Sequence, residues 1–206
     1  MIRCELRGDA LAILTIDRPG KANSLTGAML RDLIAHLDDL AAAHCRAVVL
    51  TGAGRVFSAG ADLAEAKAGL ATAPEWERLS ARIAAMPGLT VAALNGTLAG
   101  GAFGMALACD LRLSVEGADF FYPVMRLGFL PQPSDPGRLV RLVGPARAKM
   151  ILMAGARIGA AEALDWGLID RIVAPGALLD AAAGLAADCL AASPGHVAAI
   201  KRMCQP

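Results

Sequence analysis

Short runs of apolar residues take turns with longer stretches of helical period along this chain. "ALAILTIDRP" (10–19) alternates, is rich in β-formers and predicts a strand ending at Pro19. "SLTGAMLRDLIAHLDDLAAAH" (24–44) places Leu30, Leu33, Ile34, Leu37 and Leu40 on one face and predicts a helix. "RAVVLTGAG" (46–54) and "LTVAALNG" (89–96) predict buried strands that break at glycine, and "LRLSVEG" predicts a third strand after residue 110. Between them, 55–70 begins as strand or loop and turns helical near Asp62. The segment 74–86 predicts a helix stopped by Pro87-Gly88, and "AGGAFGMALACD" a short apolar helix. Further on, 118–131 reads as broken strand and loop, and 137–155 as helix with a Gly-Pro joint. The stretch 159–174 reads as helix running into strand, and 177–203 as helical, broken at Pro194-Gly195.

Strands alternating with helices along the whole chain give an α/β fold built from repeated β-β-α or β-α units. With 206 residues, the chain suits a core of 1–175 followed by an Ala-rich helical region, 176–206. Hydrophobic residues make up 56% and charged residues 19%, which excludes disorder. A formal net charge of +1 gives no electrostatic reason to expect nucleic acid or an anionic membrane. Each long apolar stretch is interrupted by Gly, Pro, Arg or Asp before reaching the roughly 20 residues of a membrane span. Five dispersed cysteines show no zinc or redox spacing, and the first ten residues carry no apolar leader. Both point to a reduced, cytoplasmic setting with no metal.

Two glycine-bearing turns carry the candidate chemistry, "SAGADL" (58–63) and "AGGAFG" (99–104). Each sets small residues at a helix start, where backbone amides lack partners and a ligand approaches the chain closely. Two such amides aimed at one point make an oxyanion hole, although strand-to-helix glycine turns are commonly structural. No nucleotide-binding glycine motif and no nucleophile elbow is present.

The ordered blocks "RPGKANSL", "VVLTGAGRVFSAGADL", "VAALNGTLAGGAFGMALACDLRL", "ADFFYPVMRLGFLP", "RLVGPARAKMILMAGARIGAAEALDWGLIDRIV" and "AIKR" resemble the crotonase, or enoyl-CoA hydratase/isomerase, superfamily over about residues 10–203. The resemblance implies a crotonase-like spiral of ββα units with a short helical C-terminal region, assembled as a homotrimer or dimer of trimers. It implies an acyl-CoA substrate, with coenzyme A part of that substrate and no separate cofactor. By alignment, the thioester oxygen falls on the backbone amides of Ala61 and Gly101. Lys21, Ala22, Ala59, Asp62, Leu63, Phe103 and Val124 join them as residues expected to line the substrate site.

Hydratases of that family use two glutamates. Their positions here hold Gly104 and Val124, and the aspartate that some relatives carry after the "LG" glycine is Gln132. Losing one general acid or base typically costs about 10²- to 10⁴-fold. Efficient hydration is therefore not expected, and isomerase- or decarboxylase-type enolate chemistry is, with a non-catalytic acyl-CoA-binding protein as the alternative. The remaining candidates are Tyr122, for which packing is the commoner role, and Asp135, which precedes proline as turn residues do. Glu65, whose ordinary role is a helix-start charge, is the third, with Ser134 a weaker one. Asp62 reads as a helix cap, Asp110 as structural, Cys109 as a small buried hydrophobe, and His36, His44 and His196 as surface residues on helices. Relative to that family, a short stretch between Leu63 and Pro87 and an early stop after "AIKR" predict a more open site, and Phe103, Met105, Phe121, Val124 and Met125 predict a greasier acyl pocket.

Overall fold

The computed structural model describes residues 1–8 and 10–204. In chain order it holds β1 (Ile2–Arg7), β2 (Leu11–Ile16), α1 (Gly27–Ala42), β3 (Ala47–Gly52), β4 (Val56–Ser58), α2 (Leu63–Lys67) and α3 (Glu75–Ala84). Next come β5 (Leu89–Leu94), β6 (Thr97–Ala99), α4 (Phe103–Ala108), β7 (Leu111–Val115), β8 (Asp119–Phe121), α5 (Val124–Leu127) and α6 (Asp135–Leu152). The rest is β9 (Ile158–Gly159), α7 (Ala160–Asp165), β10 (Arg171–Val173), α8 (Leu178–Leu185), α9 (Ala187–Ala191) and α10 (Pro194–Met203).

Two sheets result. The larger has the order β1-β2-β3-β5-β7-β10, parallel except for β1 against β2. The smaller has the order β4-β6-β8-β9, parallel except for β9. Three successive units repeat one pattern: a strand in the large sheet (β3, β5, β7), a strand in the small sheet (β4, β6, β8), then helix. This is the ββα spiral that the sequence resemblance implies. The strands β3, β5 and β7 are buried almost end to end, as a parallel sheet covered on both faces requires.

Local chemistry explains the helix ends. Thr26 caps α1 by accepting from Met29 N–H, and Leu30, Leu33, Leu37 and Leu40 of its apolar stripe are buried. Asp62 caps α2 by accepting from the amides of Ala64 and Glu65. Gly144, at φ +79, bends α6 in front of Pro145, at the expected Gly-Pro joint. In the C-terminal region, α8 lies against β3, β5 and β7 and buries Leu178 and Ala182 in the main core. Lys201 on α10 donates to Gly88 O at 3.0 Å and Asp110 Oδ2 at 2.7 Å.

Three local readings change, and one strand went unread. Ile2–Arg7 forms an edge strand with only Ile2 buried, so it has no alternation to read. The expected loop after Phe121 contains the helical turn α5. The helical stretch breaks just ahead of Pro194, at Ala192-Ser193, and Pro194 begins α10, because its missing N–H is harmless in a first turn and Ser193 caps the helix. His44 lies in the turn after α1, at φ +55, and not on a helix.

Candidate active site

Parallel neighbours present their carboxyl ends side by side, and ligands bind in the crevice beyond them. Here β4, β6 and β8 are such neighbours. Their ends deliver Ala59-Gly60-Ala61, Gly100-Gly101 and Tyr122-Pro123-Val124 to one edge, around a cavity of about 150 Å³. Trp76, Gln132, Leu127 and Phe129 complete much of its wall. Among the described residues, no Asp, Glu, Lys, Arg or His side chain lines it. An uncharged, apolar surround strengthens any hydrogen bond made inside.

The first turn is fixed by a strap, residues 18–25. Leu25 N–H donates to Gly60 O at 2.7 Å, and Asp62 N–H donates to Leu25 O at 2.8 Å. These bonds use the groups flanking Ala61, so the Ala61 N–H points away from the strap. Ala59 N–H donates to Ala22 O, and the Ser58 hydroxyl donates to Asn23 O at 2.8 Å. Ala22 and Asn23 are both left-handed, and the fully buried Asn23 amide donates to Ala53 O and Val56 O. Gly60 has φ +92, and a Cβ built on it would lie 3.0 Å from Ala99 O and 3.4 Å from Gly101 N. Glycine therefore permits both the turn and its close approach to the second turn.

Gly100 has φ +58, and Gly101 is the second residue of a 3-10 turn that leads into α4. Amides at that position have no intrahelical acceptor. The Trp76 ring packs against Gly101, where an added Cβ would lie 3.2 Å from the indole. Its indole N–H donates to Leu70 O at 2.9 Å, which fixes the ring. Ala61 and Gly101 thus line one cavity from adjacent turns.

The third segment brings two candidates together. The Tyr122 hydroxyl donates to Asp135 Oδ2 at 2.9 Å and accepts from Gln132 N–H at 3.4 Å. Its ring stacks on Phe103 at 5.4 Å. Asp135 opens α6 and is 1% exposed. Its Oδ1 has no partner among the described residues and lies 2.8 Å from where a Cβ on Gly104 would stand. Burial pushes the Asp135 carboxyl up to about 7, opposed by the Tyr122 hydrogen bond and the charge of Arg138, with Glu77 adding to the rise. Burial also pushes the Tyr122 hydroxyl well above its ordinary value, with Asp135 adding to the effect. Asp135 is a helix-start residue and not a free turn, because the following Pro136 suits a first helical turn.

Of the remaining sequence candidates, Ala59, Leu63 and Val124 line the cavity. Lys21 is exposed and Ala22 serves the strap. Asp62 spends its carboxylate on the α2 cap and on Arg18 at 2.7 Å, and that hydrogen bond holds its carboxyl below the usual range. Glu65 accepts from Gly27 N–H at 2.7 Å, tying α2 to α1 outside the cavity. Phe103 is fully buried and supports Tyr122 without lining the cavity. Ser134 is held by Glu77 at 2.7 Å. Cys109 is buried, its thiol pushed up to about 12 by burial. Sequence reasoning missed Trp76, Leu127, Phe129 and Leu130. The signal for the last three was an apolar run, "LGFL", in a segment with no helical or strand period. A larger cleft, about 590 Å³, lies between α10 and the ends of β5 and β7. Neither glycine turn reaches it, so it is not the site of this chemistry.

The sequence profile of the enoyl-CoA hydratase/isomerase family matches residues 7–205. The chain is 36% identical over 208 residues to a carnitinyl-CoA dehydratase of Salmonella arizonae, covering 96% of this chain and 77% of that protein. It is 36% identical over 199 residues to 4-chlorobenzoyl coenzyme A dehalogenase-1 of an Arthrobacter species, covering 92% and 72%. The crystal structure of an enoyl-CoA hydratase from Bacillus anthracis superimposes with a TM-score of 0.90 at 31% identity, covering 98% of this chain and 81% of that one.

Proposed function

The chain belongs to the enoyl-CoA hydratase/isomerase family, and from that footing we propose that it binds an acyl-CoA thioester and stabilises its enolate. The observation that carries the reading is that Ala61 and Gly101, on turns after adjacent parallel strands, both line one uncharged cavity in which their amides can serve as donors. A thioester oxygen between them gains negative charge as the enolate forms, and each such donor is worth about 3 kcal/mol in the transition state. At about 150 Å³, the cavity takes the reacting acyl end and leaves the rest of the carrier outside.

Hydration needs an acid and a base at the double bond, and the two positions concerned are Gly104 and Val124. Chemistry that generates the enolate with less proton handling fits better. In decarboxylation of a malonyl-type thioester, the C–C bond to the carboxylate breaks and its electron pair flows into the thioester carbonyl. Carbon dioxide leaves, and the enolate is protonated at Cα. The apolar wall favours this, because a localised carboxylate loses more on desolvation than charge spread toward the thioester. Double-bond migration uses the same enolate. The absence of any carboxylate from the cavity lining, among the described residues, favours a second reading, acyl-CoA binding without turnover.

The test pairs calorimetric titration with butyryl-CoA and turnover assays on crotonyl-, 3-enoyl- and malonyl-type thioesters. Binding is expected, with decarboxylation or double-bond migration exceeding hydration. Crotonyl-CoA hydration on the order of 10 per second or faster would sink the enolate-only reading. Binding with no turnover on the whole panel would establish the second reading, and no binding would remove both.

A further inference from the structure

We infer that Tyr122 and Asp135 form a proton relay, in which the Tyr122 hydroxyl touches the acyl Cα and Asp135, behind it, gives or takes the proton. The inference rests on the acyl-CoA reading above.

The geometry supports the relay at three points. Tyr122 lines the cavity, whereas Asp135 does not, and Asp135 is tied to that lining through the Tyr122 hydroxyl. The two groups share a 2.9 Å hydrogen bond that runs in either direction. With Asp135 ionised, the phenol donates to it. With Asp135 protonated, the acid donates to the phenol oxygen and frees the phenol proton to turn toward the cavity. Finally, Asp135 occupies the space of a missing side chain: its Oδ1 stands 2.8 Å from the Cβ position of Gly104, and no other protein group satisfies that oxygen among the described residues. A side chain at 104 and the Asp135 carboxyl compete for the same space. The chain therefore brings a carboxyl to the space beside Gly104 from the start of α6, with a tyrosine as its partner, instead of from α4.

The step balances. After carbon dioxide leaves a malonyl-type thioester, the enolate on the Ala61 and Gly101 amides takes the Tyr122 hydroxyl proton at Cα. The Asp135 proton passes to the phenol oxygen, and Asp135 remains as a carboxylate that regains a proton from solvent through the Tyr122 hydroxyl after product release. In the other direction, Asp135 as carboxylate draws a Cα proton through Tyr122. The charged and titratable groups facing Asp135 are Tyr122 beyond β8, Glu77 on α3 and Arg138 on α6. Glu77 is engaged by Ser134, and Arg138 by Ser80, so neither competes for the relay proton.

The test is exchange of the Cα hydrogens of butyryl-CoA with deuterium oxide, followed by mass spectrometry, beside calorimetric binding of the same thioester. The wild type is expected to exchange, with a rate that rises through about pH 7 as Asp135 ionises. Tyr122→Phe keeps the ring stacking and is expected to lose about 100-fold or more in exchange while its Kd changes less than about threefold, under 1 kcal/mol. Asp135→Asn, of nearly the same shape, is expected to lose exchange and the inflection near pH 7 together. Wild-type exchange rates in Tyr122→Phe, or an unaltered pH profile in Asp135→Asn, would overturn the relay. Wild-type binding without exchange would also overturn it and leave the thioester reading standing. No binding by the wild type would overturn both.

Discussion

Replacing Gly104 with alanine should destabilise the protein, although alanine is the better helix former. Gly104 lies in α4, where the exchange by itself would gain about 1 kcal/mol. The new Cβ would stand 2.8 Å from Asp135 Oδ1, 3.3 Å from Oδ2 and 3.4 Å from Cγ. Asp135 must move, and it has little room, being 1% exposed and anchored at the first turn of α6. Overpacking of this kind costs about 1–3 kcal/mol. Pulling the carboxyl from Tyr122 leaves a buried hydroxyl and a buried acid poorly satisfied, about 1–3 kcal/mol more. Against the helix gain, the net loss is about 1–5 kcal/mol, a fall in Tm of roughly 2–20 °C for a chain of this size. Urea denaturation and calorimetry of the wild type, Gly104→Ala, Asp135→Ala and the double variant form a cycle that isolates the collision. In the Asp135→Ala background the added methyl meets no carboxyl and should be neutral or stabilising. If Gly104→Ala raises Tm in the wild type, or costs the same in both backgrounds, the two side-chain volumes do not compete and the argument fails.

Two further outcomes follow from the same site. Asp135 holds its proton to about pH 7 in the folded chain, while an unfolded aspartate releases it near 4. Between those values the folded state binds more protons, so this contribution is complete below about pH 4 and lost as pH rises through about 7. It is worth on the order of 4 kcal/mol. The wild type minus Asp135→Asn difference in urea midpoint should fall across that window, and a difference that is flat or rises refutes the assignment. Gly60→Ala places a Cβ 3.0 Å from Ala99 O at φ +92. It should cost about 1–3 kcal/mol of stability and weaken butyryl-CoA binding at least about tenfold by displacing the Ala61 amide. Unchanged calorimetric affinity in a folded Gly60→Ala protein would separate that amide from binding.

What the sequence by itself determined is whatever depends on neighbours a few residues away. The leucines at helical spacing became the buried face of α1, Asp62 became the cap of α2, and the apolar runs became the buried strands β3, β5 and β7. The order of motif blocks carried the spiral and the two glycine turns. What only the tertiary structure decided is which of those parts meet. The turns at Gly60 and Gly101 are some 40 residues apart and touch because β4 and β6 pair in parallel. Trp76 stands against Gly101 because α3 packs on α4. Tyr122 looked like packing and Asp135 like turn chemistry, since each role is the usual one for its local context. Folding removed Asp135 from water, gave it the phenol as partner and aimed it at the space above Gly104. A carboxyl's proton affinity is set by desolvation and by the charges and dipoles around it, and none of these lies in the residues beside it in the chain.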